Sequence, residues 1–123
     1  KWRLLVEQVA ATHPKLAGTE AELRSIDRHV DRAALEWALT MQEGMTQLDQ
    51  DPDAVTMMRY ETLANDPKST VRSLYAACDL PHDDVPTAYA GRVARPVPHK
   101  DSVALDPRVG PIFRETMNAL GYA

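Results

Sequence analysis

The run of residues 55–60, VTMMRY, is the feature that most constrains the fold of this chain. The run is short, it follows the turn sequence DPD at residues 51–53, and its apolar residues fall on both faces. Such a run is typical of a strand that is buried on both sides within a parallel sheet. A lone strand cannot pair its own backbone groups. We therefore expect partner strands in residues that precede Lys1.

Helical spacing of apolar residues predicts about five helices around this strand. Residues 81–98 are interrupted by prolines and are predicted to form an ordered loop with one short turn of helix. The fold class is therefore α/β, mostly helical, with one buried strand at about 55–60. The alternative is a small all-α domain in which this run is an extended linker. The sequence signals for helix starts and stops are His13-Pro14, Thr19 with Glu22, Asp31, Asp66-Pro67, Leu80-Pro81, Asp106-Pro107 and Gly121.

The composition excludes several classes of protein. The chain has 123 residues and a formal net charge of −4, which argues against general binding to a nucleic-acid backbone. Its one cysteine, Cys78, has no partner for a disulfide within the chain, and its helical position predicts a buried thiol. No apolar run approaches the length of about 18 residues that a membrane span needs. We expect a cytoplasmic protein.

No catalytic centre can be recognised from the residues alone. The four histidines, His13, His29, His82 and His99, show no metal-ligand spacing, and the isolated glycines form no phosphate-binding loop. Two candidates for binding remain. Tyr60 ends the predicted strand, where ligands of parallel sheets bind; its alternative role is that of a core aromatic residue with a surface hydroxyl.

The second candidate is the basic segment that contains Arg92, Arg95, His99 and Lys100 within the proline-rich region. Guanidinium and ammonium groups on an ordered loop bind phosphate oxygens well. This cluster of donors therefore predicts an anion site in an otherwise acidic protein. The alternative is a solvated loop whose charges favour solubility.

Residues 59–81, RYETLANDPKSTVRSLYAACDLP, resemble a segment of the sulfotransferase family. In that family a hydrophobic strand leads to Tyr-Glu-Asp-Leu, then to Asp/Asn-Pro and a helix that ends in a Gly/Asp-Leu-Pro turn. Here Tyr60-Glu61-Thr62-Leu63 takes the first place, Asp66-Pro67 the second and Cys78-Asp79-Leu80-Pro81 the third. The final RETMNALGYA is also similar to the closing helix of bacterial members.

This resemblance implies a P-loop-like α/β fold and a transfer reaction. A sulfuryl group would move from 3′-phosphoadenosine 5′-phosphosulfate (PAPS) to a hydroxyl or amine of a small-molecule, lipid or carbohydrate acceptor. Tyr60 would inherit the family's contact to the adenine part of the cofactor. Arg95 and Lys100 would help to bind its 3′-phosphate.

The departures from the family pattern are as informative as the matches. The family's 5′-phosphosulfate loop, its Arg…Ser pair and its catalytic base have no counterpart here. Residues 1–123 are therefore expected to be one domain fragment, the C-terminal half of a sulfotransferase-like domain, and inactive alone. The helix that carries Trp37 and Met45 is expected to line the acceptor pocket; the alternative is that Trp37 and the methionines pack a core. The alternatives are an all-α interaction module without catalytic activity and the C-terminal half of a nucleotide kinase.

Overall fold

The computed structural model describes residues 1–98 and 103–122, and in those residues it contains helices and no strand. The chain divides into two compact units, a first unit (Lys1–Thr46 with Ser102–Ala123) and a second unit (Gln47–Asp101). The helices are α1 (Trp2–Leu4), followed by a π-helix (Leu5–Val9) and a 3₁₀ turn (Ala10–Thr12), then α2 (Glu20–Arg24), α3 (His29–Gln50), α4 (Tyr60–Asn65), α5 (Pro67–Ala77), α6 (Asp84–Val93) and α7 (Gly110–Ala119).

The first unit closes around a hydrophobic core. Helix α3 supplies one face of this core because its small and apolar residues recur at helical spacing. The ring of Trp37 packs against Phe113, with the ring centroids 5.2 Å apart. Trp37 is therefore part of this packing. The buried residues of the core are Val6, Ala10, Leu16, Leu23, Ile26, Ala34, Leu35, Ala38, Leu39, Val109 and Ile112.

A polar network joins the start of α3 to the segment before α7. Asp31 was predicted to cap a helix, but α3 begins earlier, at His29, and the Asp31 side chain is buried within it. Its Oδ1 accepts a hydrogen bond from the backbone N–H of Asp106 at 2.8 Å. The prediction was wrong because this carboxylate accepts a hydrogen bond from a backbone amide that is distant in sequence, and not from the first turn of its own helix.

Arg108 extends this network. Its guanidinium donates to Asp106 at 2.8 and 2.6 Å and to the carbonyl oxygen of Glu22 at 2.6 Å. Hydrogen bonds from Arg108 lower the pKa of the Asp106 carboxyl to about 2. Asp106-Pro107 therefore starts a turn, and α7 begins later, at Gly110.

The predicted strand at residues 55–60 is wrong. Residues 55–59 have no regular secondary structure, and Tyr60 is the first residue of α4. Met57 and Met58 are 55% and 41% exposed, so neither face is buried. A strand is stabilised by pairing with another strand, and the part of the chain that the structure describes offers none. The alternative interpretation, an extended linker between helices, agrees with the extended backbone of Arg59.

Helix α5 begins and ends as its sequence predicts. Asp66 caps it by accepting a hydrogen bond from Ser69 N–H, and Pro67 occupies its first turn. After the helix, Asp79 adopts a positive φ of 50°, and Leu80 N–H donates back to the Tyr75 carbonyl at 2.9 Å.

Two further predictions for the second unit are wrong. The Cys78 thiol was expected to be buried but is exposed, because the residue lies at the C-terminal end of α5, beyond its packed face. Residues 84–93, predicted as mostly loop, form the ten-residue helix α6. Asp83 caps α6 by accepting from Val85 N–H at 2.8 Å, and Pro86 falls in the first turn, where proline is tolerated.

Candidate functional site

Tyr60 lies at the start of α4 with 46% of its surface exposed. Its hydroxyl donates a hydrogen bond to the backbone carbonyl of Arg95 at 3.0 Å. The contact joins residues 35 positions apart, and it leaves part of the aromatic ring accessible to solvent. The structure thus brings together two of the three residues that the sequence singled out for cofactor binding.

Arg95 directly follows the end of α6, and its side chain turns back onto that helix. Nη1 donates to the carbonyl oxygen of Ala94 at 2.7 Å and to that of Gly91 at 3.4 Å. A guanidinium at this position stabilises the helix C-terminus through the last carbonyl groups. The remaining donors, on Nε and Nη2, stay available for a ligand.

Lys100 and His99, the other basic residues proposed for this segment, lie outside the described residues. Arg92 is described, and its guanidinium stands over the ring of Tyr89, 5.8 Å from the centroid. The described residues of the basic segment therefore have different aromatic partners. The backbone carbonyl of Arg95 contacts Tyr60, whereas the guanidinium of Arg92 contacts the ring of Tyr89.

The arrangement of Tyr60 and Arg95 is suited to binding, not to bond breaking. An exposed aromatic face can stack on a heterocyclic base, and the free edge of a guanidinium can hold an anionic oxygen pair. Within residues 1–98 and 103–122, no three His, Cys, Asp or Glu side chains are grouped so that they could hold a metal ion.

A groove of about 440 Å³ runs along one side of the second unit. Its walls come from residues 56–59, from Thr62 of α4 and from Asp66 and the first two turns of α5, and they combine hydroxyl groups with apolar side chains. The lining residues are Thr56, Met57, Met58, Arg59, Thr62, Asp66, Ser69, Thr70, Ser73 and Leu74.

A larger groove, of about 720 Å³, lies in the first unit. The helix that carries Trp37 and Met45 was expected to line an acceptor pocket, and this groove lies along the same helix. Neither Trp37 nor Met45 borders the groove. At its edge His13 Nδ1 accepts from Lys15 N–H at 3.2 Å, so Nε2 carries the proton that binds Gln42 Oε1 at 2.8 Å. The lining residues are Leu5, Gln8, Val9, Thr12, His13, Pro14, Leu39, Thr40, Gln42, Glu43 and Thr46.

The comparisons with known proteins bear on residues 4–84. A model of the sulfotransferase family matches this stretch, which is more than half of the 123-residue chain. It contains Tyr60, α3, α4 and α5. No curated protein and no solved structure matches. In the described part of the chain, no helix has the length and apolarity to cross a bilayer. On the strength of the match over residues 4–84, the chain belongs to the sulfotransferase family.

Proposed function

We propose that this chain is the C-terminal half of a PAPS-dependent sulfotransferase domain with a P-loop-like fold. The enzyme transfers a sulfuryl group from PAPS to a hydroxyl or amine of its acceptor. The phosphosulfate loop and the catalytic base come from residues outside 1–123, so this stretch alone is inactive. In this proposal the protein is a cytoplasmic enzyme of bacterial type, and Tyr60, Arg95 and Lys100 bind the cofactor.

The observation that carries the proposal is the contact between Tyr60 and Arg95 in a member of the sulfotransferase family. Tyr60 supplies a partly exposed ring for the adenine, and Arg95 supplies guanidinium donors for a phosphate. Because the Tyr60 hydroxyl donates to the Arg95 backbone, Tyr60 and the backbone of Arg95 are held together before any ligand arrives. Such preorganisation lowers the entropy cost of binding.

Calorimetric titration of adenosine 3′,5′-bisphosphate into the intact protein tests this proposal. Tyr60→Ala should weaken binding by about fivefold to 150-fold, because stacking of a base on an aromatic ring is worth about 1–3 kcal/mol. Tyr89→Ala is the matched control, since Tyr89 is also exposed and also lies on a helix of the second unit. This control should bind within about twofold of the wild type.

The outcomes separate the two functions that remain open. Absence of binding by well-folded wild-type protein would contradict cofactor binding and would favour the all-α interaction module. That module is the second candidate because the described residues contain helices and no strand. Equal weakening by Tyr60→Ala and Tyr89→Ala would remove Tyr60 from the site.

A further inference from the structure

Two positively charged side chains each lie close to one glycine of the second unit. A methyl carbon built on Gly91 would lie 3.8 Å from Cε and 4.0 Å from Cγ of Lys68, so the Lys68 stem lies along α6 at this point. Arg95 Nη1 donates to the carbonyl oxygen of Gly91 at 3.4 Å. Lys68 comes from the first turn of α5 and Arg95 follows α6, so the two charges approach Gly91 from different elements.

Neither charge is neutralised by a carboxylate in the part of the chain that the structure describes. The carboxylate nearest to Lys68 in the sequence, that of Asp66, accepts a hydrogen bond from Ser69 N–H as the cap of α5. Arg95 uses Nη1 for two backbone carbonyls and keeps Nε and Nη2. Two adjacent cations without counter-ions repel each other, and a bound anion would relieve that repulsion.

The two residues complement each other in how they bind anions. Arg95 is held by its two backbone contacts, so its free edge presents a fixed fork for two oxygens. Lys68 supplies a mobile point charge whose stem lies beside Gly91.

We propose that Lys68 and Arg95, both beside Gly91, bind an oxyanion of the phosphate or sulfate class. The Tyr60 hydroxyl donates to the backbone carbonyl of Arg95, so Tyr60 contacts one of the two residues of this site. In the enzyme this site holds an anionic group of the nucleotide, and in naming that ligand the inference rests on the proposed function. Lys68 is the residue that it adds to the cofactor site.

The first experiment compares two charge-removing variants of the same helix. Lys68→Gln should weaken the binding of adenosine 3′,5′-bisphosphate about tenfold, as measured by calorimetry on the intact protein. Arg72→Gln is the matched control, because Arg72 is also an exposed cation of α5 and makes no contact with Gly91. This control should change the affinity less than about twofold. Lys68→Arg, which keeps the charge, should restore most of the loss.

The second experiment uses inorganic pyrophosphate as the probe, so that it needs no nucleotide. Amide chemical shifts of Lys68 and Gly91 should move during the titration in the wild type and in Arg72→Gln. In Lys68→Gln, the amide shifts of position 68 and of Gly91 should move only at about tenfold higher pyrophosphate concentrations. Both variants alter exposed side chains, and a circular dichroism spectrum checks that each remains helical.

The outcomes distinguish failure of this inference from failure of the proposed function. A loss specific to Lys68→Gln with either ligand supports the oxyanion site, and a response to pyrophosphate alone means that the anion is not part of this nucleotide. Nucleotide binding that is equal in Lys68→Gln and Arg72→Gln would overturn the inference and leave the proposed function standing. Absence of binding to both ligands would overturn both.

Discussion

The two units of the chain differ in how they use apolar residues. All members of the hydrophobic core cluster lie in the first unit. In the second unit, the residues that the structure describes as buried are Ala64, Val71, Thr87 and Ala94. Its exposed large apolar residues are Met57, Met58, Tyr60, Leu80, Val85, Tyr89, Val93 and Val97.

This difference teaches where each unit obtains its stability. The first unit is stabilised by burial of apolar surface, which is worth about 25 cal/mol per Å². The second unit depends more on local devices, such as the Asp66 and Asp83 caps, which are each worth about 1 kcal/mol. The candidate cofactor residues Tyr60, Arg95 and Lys68 all lie in the second unit. Binding surfaces are often drawn from regions such as this one, which have few buried apolar contacts.

The largest effect should come from a cavity in the first unit. Leu35 is 0% exposed, and Leu35→Ala should lower the free energy of unfolding by about 3 kcal/mol, because the core loses buried methyl groups and gains a void. Leu80→Ala in the second unit, where Leu80 is 56% exposed, should cost less than about 0.5 kcal/mol. Urea denaturation followed by circular dichroism measures both. Equal losses would contradict the contrast between the units.

A smaller, pH-dependent effect should also map to the first unit. Arg108 lowers the pKa of Asp106 from 3.8 to about 2 in the folded protein. Because the folded value is depressed, the carboxylate stabilises the protein above the unfolded value. This stabilisation is lost as the pH falls from about 4 towards 2.

The variant Asp106→Asn isolates this contribution. Its stability deficit relative to the wild type should be constant above about pH 5 and should shrink as the pH falls towards 2. Thermal unfolding of both proteins between these values measures the difference. Asp27→Asn is the control, because the Asp27 side chain is 96% exposed and should show little pH-dependent difference. A deficit that grows on acidification would contradict the assigned direction.

The smallest effect should be a gain in the second unit. Asp79 has a φ of 50°, a conformation that glycine adopts without steric cost. Asp79→Gly should therefore raise the free energy of unfolding by up to about 1 kcal/mol. Ser73→Gly, in the middle of α5, should instead lower it by about 0.5 kcal/mol. Chemical denaturation checks the two signs, and a loss at position 79 would contradict the strain assigned to it.

The parts of the fold that the sequence predicted correctly are governed by local chemistry. The start of α5 at Asp66-Pro67 and the stop at Gly121 each depend on a capping group within a few residues. The failures have different causes. The apolar run at residues 55–60 has the composition of a strand, but strand formation depends on a partner that local sequence cannot supply. Helix α6 was missed because prolines on both sides hid a short helix that Asp83 caps.

In the candidate site, too, the residue types could be predicted from local sequence, whereas the contacts between distant residues could not. Tyr60 and Arg95 were both predicted as binding residues from their residue type and position. Their contact could not be predicted, because it joins residues 35 positions apart and no local sequence pattern encodes it. Lys68 was not selected, because a lysine in the first turn of a helix has no special spacing. Its position beside Gly91 depends on how α5 packs against α6. The signal that could have found it is the coincidence of a glycine on one helix with an uncompensated lysine on its neighbour.

The hydrogen bond from Asp106 to Asp31 has a consequence for the order in which this polypeptide folds during synthesis. The first unit is assembled from two stretches of chain, and residues 47–101 emerge from the ribosome between them. Val109 and Ile112, which belong to its core, are translated only after the whole second unit. The second unit can thus form its local helices before the core of the first unit is complete, and until then the apolar residues of the first unit stay exposed.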